Sequence, residues 1–223
     1  MAKTIVVVAA HADDEAIGCG GTIARHVAEG DTVHAIFIAD GVTSRGGQSS
    51  NELDKRQASA IAAQSILGIK STSFLNLPDN RLDSVSLLDI IQPLEAVIKK
   101  LTPEVIYTHH YGDLNVDHRI THQAVMTACR PLPGSSVREI YTFEIMSSTE
   151  WATPTASPFV ANYYVDISKY LSRKLDALEA YKDEMRQPPH SRSIEHIKIL
   201  ALHRGHTVGV AAAEAFMVVR VVQ

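Results

Sequence analysis

The sequence predicts an α/β fold, a mostly parallel sheet with helices on both faces, on three observations. Short apolar runs alternate with amphipathic stretches through the first half of the chain, the β-α-β-α rhythm of a parallel sheet. The runs TIVVVA and TVHAIFIA are apolar almost without interruption, as strands buried on both faces should be. No proline-rich linker divides the 223 residues, so residues 1–223 read as one domain.

Residues 4–9 form the first expected strand. Residues 15–28 follow as a helix, with Ile17, Ile23, Ala24 and Val27 near helical spacing. Residues 32–39 are the second strand, and 40–50 (DGVTSRGGQSS), polar and glycine-bearing, a loop. A helix over 52–67 ends at Gly68, a residue suited to the C′ position. Residues 71–75 give a short third strand, 87–101 a helix and 104–108 a fourth strand. After residue 130 the rhythm changes. Strands are expected over 139–144, 163–167 and 216–222, helices over 168–184 and 193–203, and a loop over 146–159, which is rich in Ser, Thr and Pro.

Composition excludes some functions. With 45% hydrophobic and 21% charged residues and a net charge of −4, the chain offers no electrostatic footprint for nucleic acid or an anionic membrane. Cys19 and Cys129 lie far apart and form no CxxC pair, which fits a reducing compartment. The opening MAKTIVVVAAHADDE meets acid too soon to be a signal sequence or a membrane span, so a soluble cytoplasmic protein is expected.

The chemistry concentrates in two places. The first strand runs straight into His11-Ala12-Asp13-Asp14-Glu15. Ligands of doubly wound sheets sit at the carboxyl ends of the strands. Three adjacent acids repel one another there, and a cation offsets that repulsion. Helix capping competes as an explanation: Asp13 or Asp14 could be the N-cap, and Glu15 suits the positive end of a helix dipole. Capping is the main reading for Glu15, but it leaves His11 unexplained. Gly18, Gly20 and Gly21 lack the spacing of a dinucleotide fingerprint and read instead as close packing of helix on sheet.

The second cluster is THHYGDLNVDHRITH, residues 108–122, which follows the fourth strand and so belongs on the same edge. Histidine with carboxylate suits zinc, and three protein ligands with an open position is the catalytic pattern. His118 and His122 are four apart, on one helical face, and spacing alone leaves either or both as ligands. His109 and His110 alternate at the strand end, so one of them should face the site. Asp113 and Asn115 also read as turn formers.

Together these residues resemble the PIG-L/LmbE-like family of zinc-dependent N-deacetylases. The likeness begins at AHADDE, continues through NVDHR and EIMSSTEW, and ends in PPHSRS and RGHTVGVAAAEAF, nearly the whole chain. It implies a Rossmann-like fold, one divalent ion per chain, zinc by preference, on His11, Asp14 and His118, and Asp13 as general base. It implies a small-molecule substrate, an N-acetylglucosamine-type amide of an amino sugar or glycoconjugate, which loses its acetyl group to attack by metal-bound water. Members of that family often associate, so a homo-oligomer is compatible with it.

Two departures stand out. Ala12 replaces the usual proline, and Asn115 stands where many members carry the first histidine of H-x-x-H, the residue thought to stabilise the oxyanion. Asn115 itself, His110 or His190 are the candidates for that partner. Arg56, Asp117, Glu144 and Trp151 are expected to bind substrate or support the pocket; a guanidinium suits sugar oxygens and an indole face suits a sugar ring. Two other readings compete with amide hydrolysis. A dinuclear phosphoesterase would draw on His109, His110, Asp113 and His122 as spare ligands. A non-catalytic sugar-binding protein would keep the ion structurally, with no use for an unligated Asp13 beside it.

Overall fold

The computed structural model describes residues 2–45, 50–154 and 156–223. Seven strands form one sheet in the order β3-β2-β1-β4-β5-β7-β6. They are β1 (Thr4–Ala9), β2 (Thr32–Ala39), β3 (Ser71–Leu77), β4 (Val105–His109), β5 (Glu139–Phe143), β6 (Tyr163–Asp166) and β7 (Ala213–Val221). The first five are parallel, and β7 runs antiparallel to both β5 and β6. Val7 of β1 pairs with Ala35 on one side and Tyr107 on the other. The chain winds outward from β1 through β2 and β3, then returns to place β4 against β1. The switch point therefore lies between the carboxyl ends of β1 and β4, where His11 and His109 stand.

The apolar run of β1 is explained by two cores. Ile5, Val7 and Ala9 join the cluster of Ile17, Ala60, Leu178 and Ile197 on one face. Val6 and Val8 join Ile91, Leu94, Ala124 and Val125 on the other. Helices α1 (Asp14–Ala28), α2 (Ser50–Leu67), α5 (Leu171–Ala180) and α6 (Ile194–Thr207) cover the first face, and α3 (Leu87–Leu101) and α4 (Val116–Ala128) the second. No helix among the described residues is long and apolar enough to cross a membrane.

The boundaries of β1, β2 and α3 are those read from the sequence. The later elements shift. β7 begins at Ala213, earlier than expected, because pairing with β6 makes a strand of alanines that carry little strand preference of their own. α5 is shorter at both ends than its amphipathic pattern suggests, whereas α6, capped by Ser193 Oγ accepting from His196 N at 3.1 Å, runs on to Thr207. Short 3₁₀ turns at Thr43–Arg45 and Thr149–Trp151 interrupt the two expected loops, of which residues 46–49 and 155 lie outside the described ones.

The glycines of α1 pack as expected. A Cβ on Gly18 would sit 2.6 Å from the Phe143 ring, and one on Gly21 2.7 Å from Ile167. The close approach comes with a break in the helix at Cys19 (φ −147°, ψ 23°). In an unbroken helix Gly21 N would donate to Ile17 O. Here Gly21 N donates to Glu214 at 3.0 Å, and Ile17 O accepts from Lys174 Nζ at 2.6 Å. A buried Lys174–Glu214 ion pair thus occupies the missing rung.

Candidate active site

The turn between β1 and α1 is tight. Asp13 has φ 136°, a conformation that side chains rarely adopt and that costs on the order of 1–3 kcal/mol unless its surroundings hold it. They do: Asp13 N donates to Glu15 Oε2 at 3.1 Å, His11 N to Asp14 Oδ2 at 2.9 Å, and Arg56 Nη2 to Ala12 O at 3.1 Å. Asp13 occupies the cap position of α1, yet its side chain makes no cap hydrogen bond. Glu15 supports the turn from within the first helical turn. Its other oxygen accepts from Tyr181 OH at 2.7 Å, and burial pushes its carboxyl up to about 7.

His11, Asp14 and His118 converge. Each offers a ligand atom, and these atoms lie within 4.8 Å of one another. His11 Nδ1 is 3.3 Å and His118 Nε2 3.4 Å from Asp14 Oδ2. The far nitrogen of each ring meets carboxylate: His11 Nε2 lies 3.1 Å from both Asp79 Oδ1 and Asp117 Oδ2, and His118 Nδ1 3.2 Å from Asp113 Oδ1. Such partners fix the tautomer and leave the near nitrogen's lone pair facing Asp14. The carboxylates are themselves held. Asp117 accepts from Asn80 N at 2.7 Å and Leu82 N at 3.0 Å, and Asp113 from Thr149 Oγ1 at 2.6 Å and from Ser148 Oγ.

The electrostatics are those of a cation site. Burial disfavours charge on every group, but His118 and His109 hold the Asp14 carboxyl well below its ordinary range. Burial likewise opposes a charge on His118, yet Asp14 and Asp113 lift it to about 9. Asp117, Asp14 and Asp79 outweigh burial at His11 and raise it well above its usual value. Protons and a metal compete for the same lone pairs here. Asp14 Oδ1 and His118 Nε2 are buried without a hydrogen-bond partner among the described residues, a state costing about 1–3 kcal/mol per group unless something binds them. Two imidazoles and a carboxylate with orphaned atoms fit a divalent ion such as zinc with a position left open. A second trio, His11, Asp79 and Asp117, also lies close together. Both Asp117 oxygens already accept backbone hydrogen bonds, so this trio reads as the support of His11 rather than as a second ion site.

The alternation at the end of β4 resolves clearly. His109 stacks on His118 with ring centroids 4.0 Å apart, and its Nε2 accepts from Ala10 N at 2.8 Å. Burial and the neighbouring His118 hold it down to about 4, hence neutral. His110 faces the other way, its Nε2 2.8 Å from Ser157 O. On α4, His118 points into the cluster, whereas His122 Nδ1 lies 2.9 Å from the backbone oxygen of His109.

Asp13 is buried, with Oδ2 accepting from Arg192 Nη1 at 3.0 Å. Its Oδ1 lies 3.7 Å from Arg56 Nη2 and has no hydrogen-bond partner among the described residues. Burial pushes its carboxyl up against the pull of Arg192 and Arg56. Arg56 is buried behind the turn, and its Nη1 meets Gly41 O at 3.1 Å and Glu184 Oε1 at 2.8 Å. Asn115 caps α4, its Oδ1 accepting from Asp117 N at 2.8 Å, with Nδ2 3.4 Å from Asn80 Oδ1. Glu144 is drawn into a two-bond pair with Arg204, 2.8 Å at each oxygen. Trp151 is 53% exposed, its ring edge-on to His190 at 5.6 Å, and His190 Nδ1 accepts from Arg192 N at 3.0 Å.

Two participants escaped sequence reasoning. Asp79 follows β3 on the same sheet edge, so the carboxyl-end rule could have flagged it. Arg192 lies in PPHSRS, two residues after a histidine that drew attention instead.

Known proteins share this arrangement of chain. The family model described as PIG-L: GlcNAc-PI de-N-acetylase matches residues 6–129, which include both motifs. The uncharacterized deacetylase YaiS of Escherichia coli (strain K12) is 32% identical over 186 residues, 81% of this chain and 91% of that protein. The diacetylchitobiose deacetylase of Thermococcus kodakarensis is 24% identical over 95% of this chain and 81% of that one. Among solved structures, the 4-carboxy-2-hydroxymuconate hydratase of Pseudomonas putida KT2440 superposes with a TM-score of 0.78 at 23% identity, covering 99% of this chain and 98% of its own. At that identity the likeness shows the fold, and one fold hosts several chemistries.

Proposed function

The chain belongs to the PIG-L family, and on that premise we propose that it is a metal-dependent deacetylase acting on an N-acetylglucosamine-type amide. The observation that carries this reading is the pairing of adjacent, buried aspartates in different settings. Asp14 lies among imidazoles with an orphaned oxygen, while Asp13 lies among guanidiniums with its own. Environment of this kind gives neighbouring carboxyls separate roles.

His11, Asp14 and His118 would hold the ion. The chemistry such an ion supplies when bound is polarisation of a carbonyl and acidification of water, whose pKa falls from ~15.7 towards ~7. The remaining work belongs to the chain. Asp13 Oδ1 accepts the proton of the attacking water and delivers it to the departing nitrogen, general base and then general acid. Arg56 adds positive charge behind the turn, and its hydrogen bonds to Ala12 O and Gly41 O keep the turn in place. Asp79, Asp113 and Asp117 orient the ligand rings. Trp151, exposed and edge-on to His190, would offer a face to a sugar ring, and the second N–H of the Asn115 amide, beside the one given to Asn80, would be the donor for the developing oxyanion. The named deacetylase of Thermococcus, which by its name acts on an acetylated amino-sugar pair, supports this substrate class.

The test is amine release from a panel of N-acetylated amino sugars, with and without chelator. Release that chelator abolishes and added zinc restores is expected. No release from any member, or release indifferent to chelator, would overturn the reading. An unsaturated tricarboxylic acid is tested beside the panel, and hydration of its double bond in place of amine release would move the chain to the chemistry named for its Pseudomonas neighbour.

A further inference from the structure

We propose that Arg192 is a positioning residue for proton transfer: its guanidinium clamps Oδ2 of Asp13 and leaves Oδ1 as the oxygen that takes the proton. The inference rests on the deacetylase reading above. Arg192 lies outside the residues matched by the family model, which end at 129.

The two oxygens of Asp13 differ in their surroundings. Oδ2 accepts a charge-assisted hydrogen bond of 3.0 Å from Arg192 Nη1. Oδ1 is buried and has no hydrogen bond among the described residues. Arg56 cannot substitute as the clamp. It stands 3.7 Å from Oδ1, and its terminal nitrogens are engaged by Ala12 O, Gly41 O and Glu184. The final torsion of an aspartate is broad, so without the clamp the carboxylate would turn and neither oxygen would be held at the angle that Arg192 sets.

Arg192 is itself held at several points. Its Nε donates to Ser147 Oγ at 2.9 Å, and Ser147 N donates to Glu150 Oε1 at 2.7 Å. Its backbone N donates to His190 Nδ1 at 3.0 Å, and its backbone O accepts from Arg186 N at 3.2 Å. Ser193, the next residue, caps α6. The guanidinium therefore reaches Asp13 from a braced turn. Its side chain keeps 19% of its surface exposed, enough for a small cation to enter if it is removed.

The experiment uses full-length, metal-loaded protein and reads metal content, kcat and KM for amine release in Arg192→Ala, Arg192→Lys and Ser147→Ala, each with and without guanidinium chloride. Misplacing a reacting group by about 1 Å costs on the order of 10²-fold, so Arg192→Ala should lose about that in kcat, with KM within about threefold and metal content unchanged. Added guanidinium should restore at least about a tenth of the lost rate, because the planar fork is what is missing. Arg192→Lys keeps charge without the fork and stays impaired. Ser147→Ala, which leaves the guanidinium present but unbraced, loses less in the same direction and carries the test if Arg192→Ala does not fold. A kcat within about threefold of wild type, a loss confined to KM, or no response to guanidinium would overturn the inference. Wild-type protein inactive on every amide would overturn the deacetylase reading and this inference with it; an active wild type with any of the preceding results overturns the inference alone.

Discussion

Replacing Lys174 by Met tests whether the break in α1 depends on the ion pair inserted into it. Lys174 Nζ donates to Glu214 Oε1 at 2.5 Å and to Ile17 O at 2.6 Å. Glu214 in turn accepts from Gly21 N at 3.0 Å and Thr22 N at 2.7 Å. Both side chains are buried, with 3% and 4% of their surface exposed. Methionine fills a similar volume but leaves an ionised carboxylate without its cation and Ile17 O without its donor. Removing one partner of a buried pair costs about 3–5 kcal/mol. Against a usual net stability of about 5–15 kcal/mol that is a large share. For a domain of this size, at about 2–4 °C per kcal/mol, it corresponds to a melting point lower by about 6–20 °C. Thermal melting followed by circular dichroism, with urea unfolding beside it, reads the loss. The double variant Lys174→Met/Glu214→Gln removes the orphaned charge and should recover at least about half of it. A single variant within about 1 kcal/mol of wild type, or a double variant no more stable than the single, would refute the reasoning.

Other consequences are quicker to check. His118→Ala should purify without metal, whereas His122→Ala should keep it, because His118 Nε2 is the orphaned atom and His122 turns to the backbone of β4; elemental analysis decides, and the opposite pattern would transfer the ligand role to His122. Cys19 and Cys129 are free and buried, with Cys19 held well above its usual range by burial and Cys129 pushed up to about 12. At pH 8 a thiol at about 12 is ionised only to about 10⁻⁴, so iodoacetamide should label neither cysteine in native protein and both in urea; rapid native labelling would contradict their burial.

Much of the fold was legible because strands covered on both faces leave near-continuous apolar runs, as in β1 and β2. The carboxyl-end rule places AHADDE and the NVDHR segment on one sheet edge from sequence alone, and the chain's PIG-L membership agrees with the resemblance those motifs carry. Spacing alone left His118 and His122 equivalent; the resemblance favoured His118, and the orientation of α4 turns that ring into the cluster and His122 away from it. Arg192 left no local pattern, and Asp79 only its place just after a parallel strand. Each lies among other polar loop residues, PDNR and HSRS, and Arg192 meets Asp13 across a separation of 179 residues. The start of β7 was hidden for a different reason: its alanines become strand through pairing, not through preference. Glu144 was expected to bind substrate or support the pocket, but its pairing with Arg204 could not be read from sequence.

The most direct test counts metal and turnover together in wild type and Asp13→Asn. Asparagine keeps the shape of the side chain and removes its basicity. About one divalent ion per chain is expected in both proteins, with kcat of the variant below about a tenth of wild type. A variant that keeps more than that rate, or that loses its ion along with its activity, would contradict the division of labour between Asp13 and Asp14.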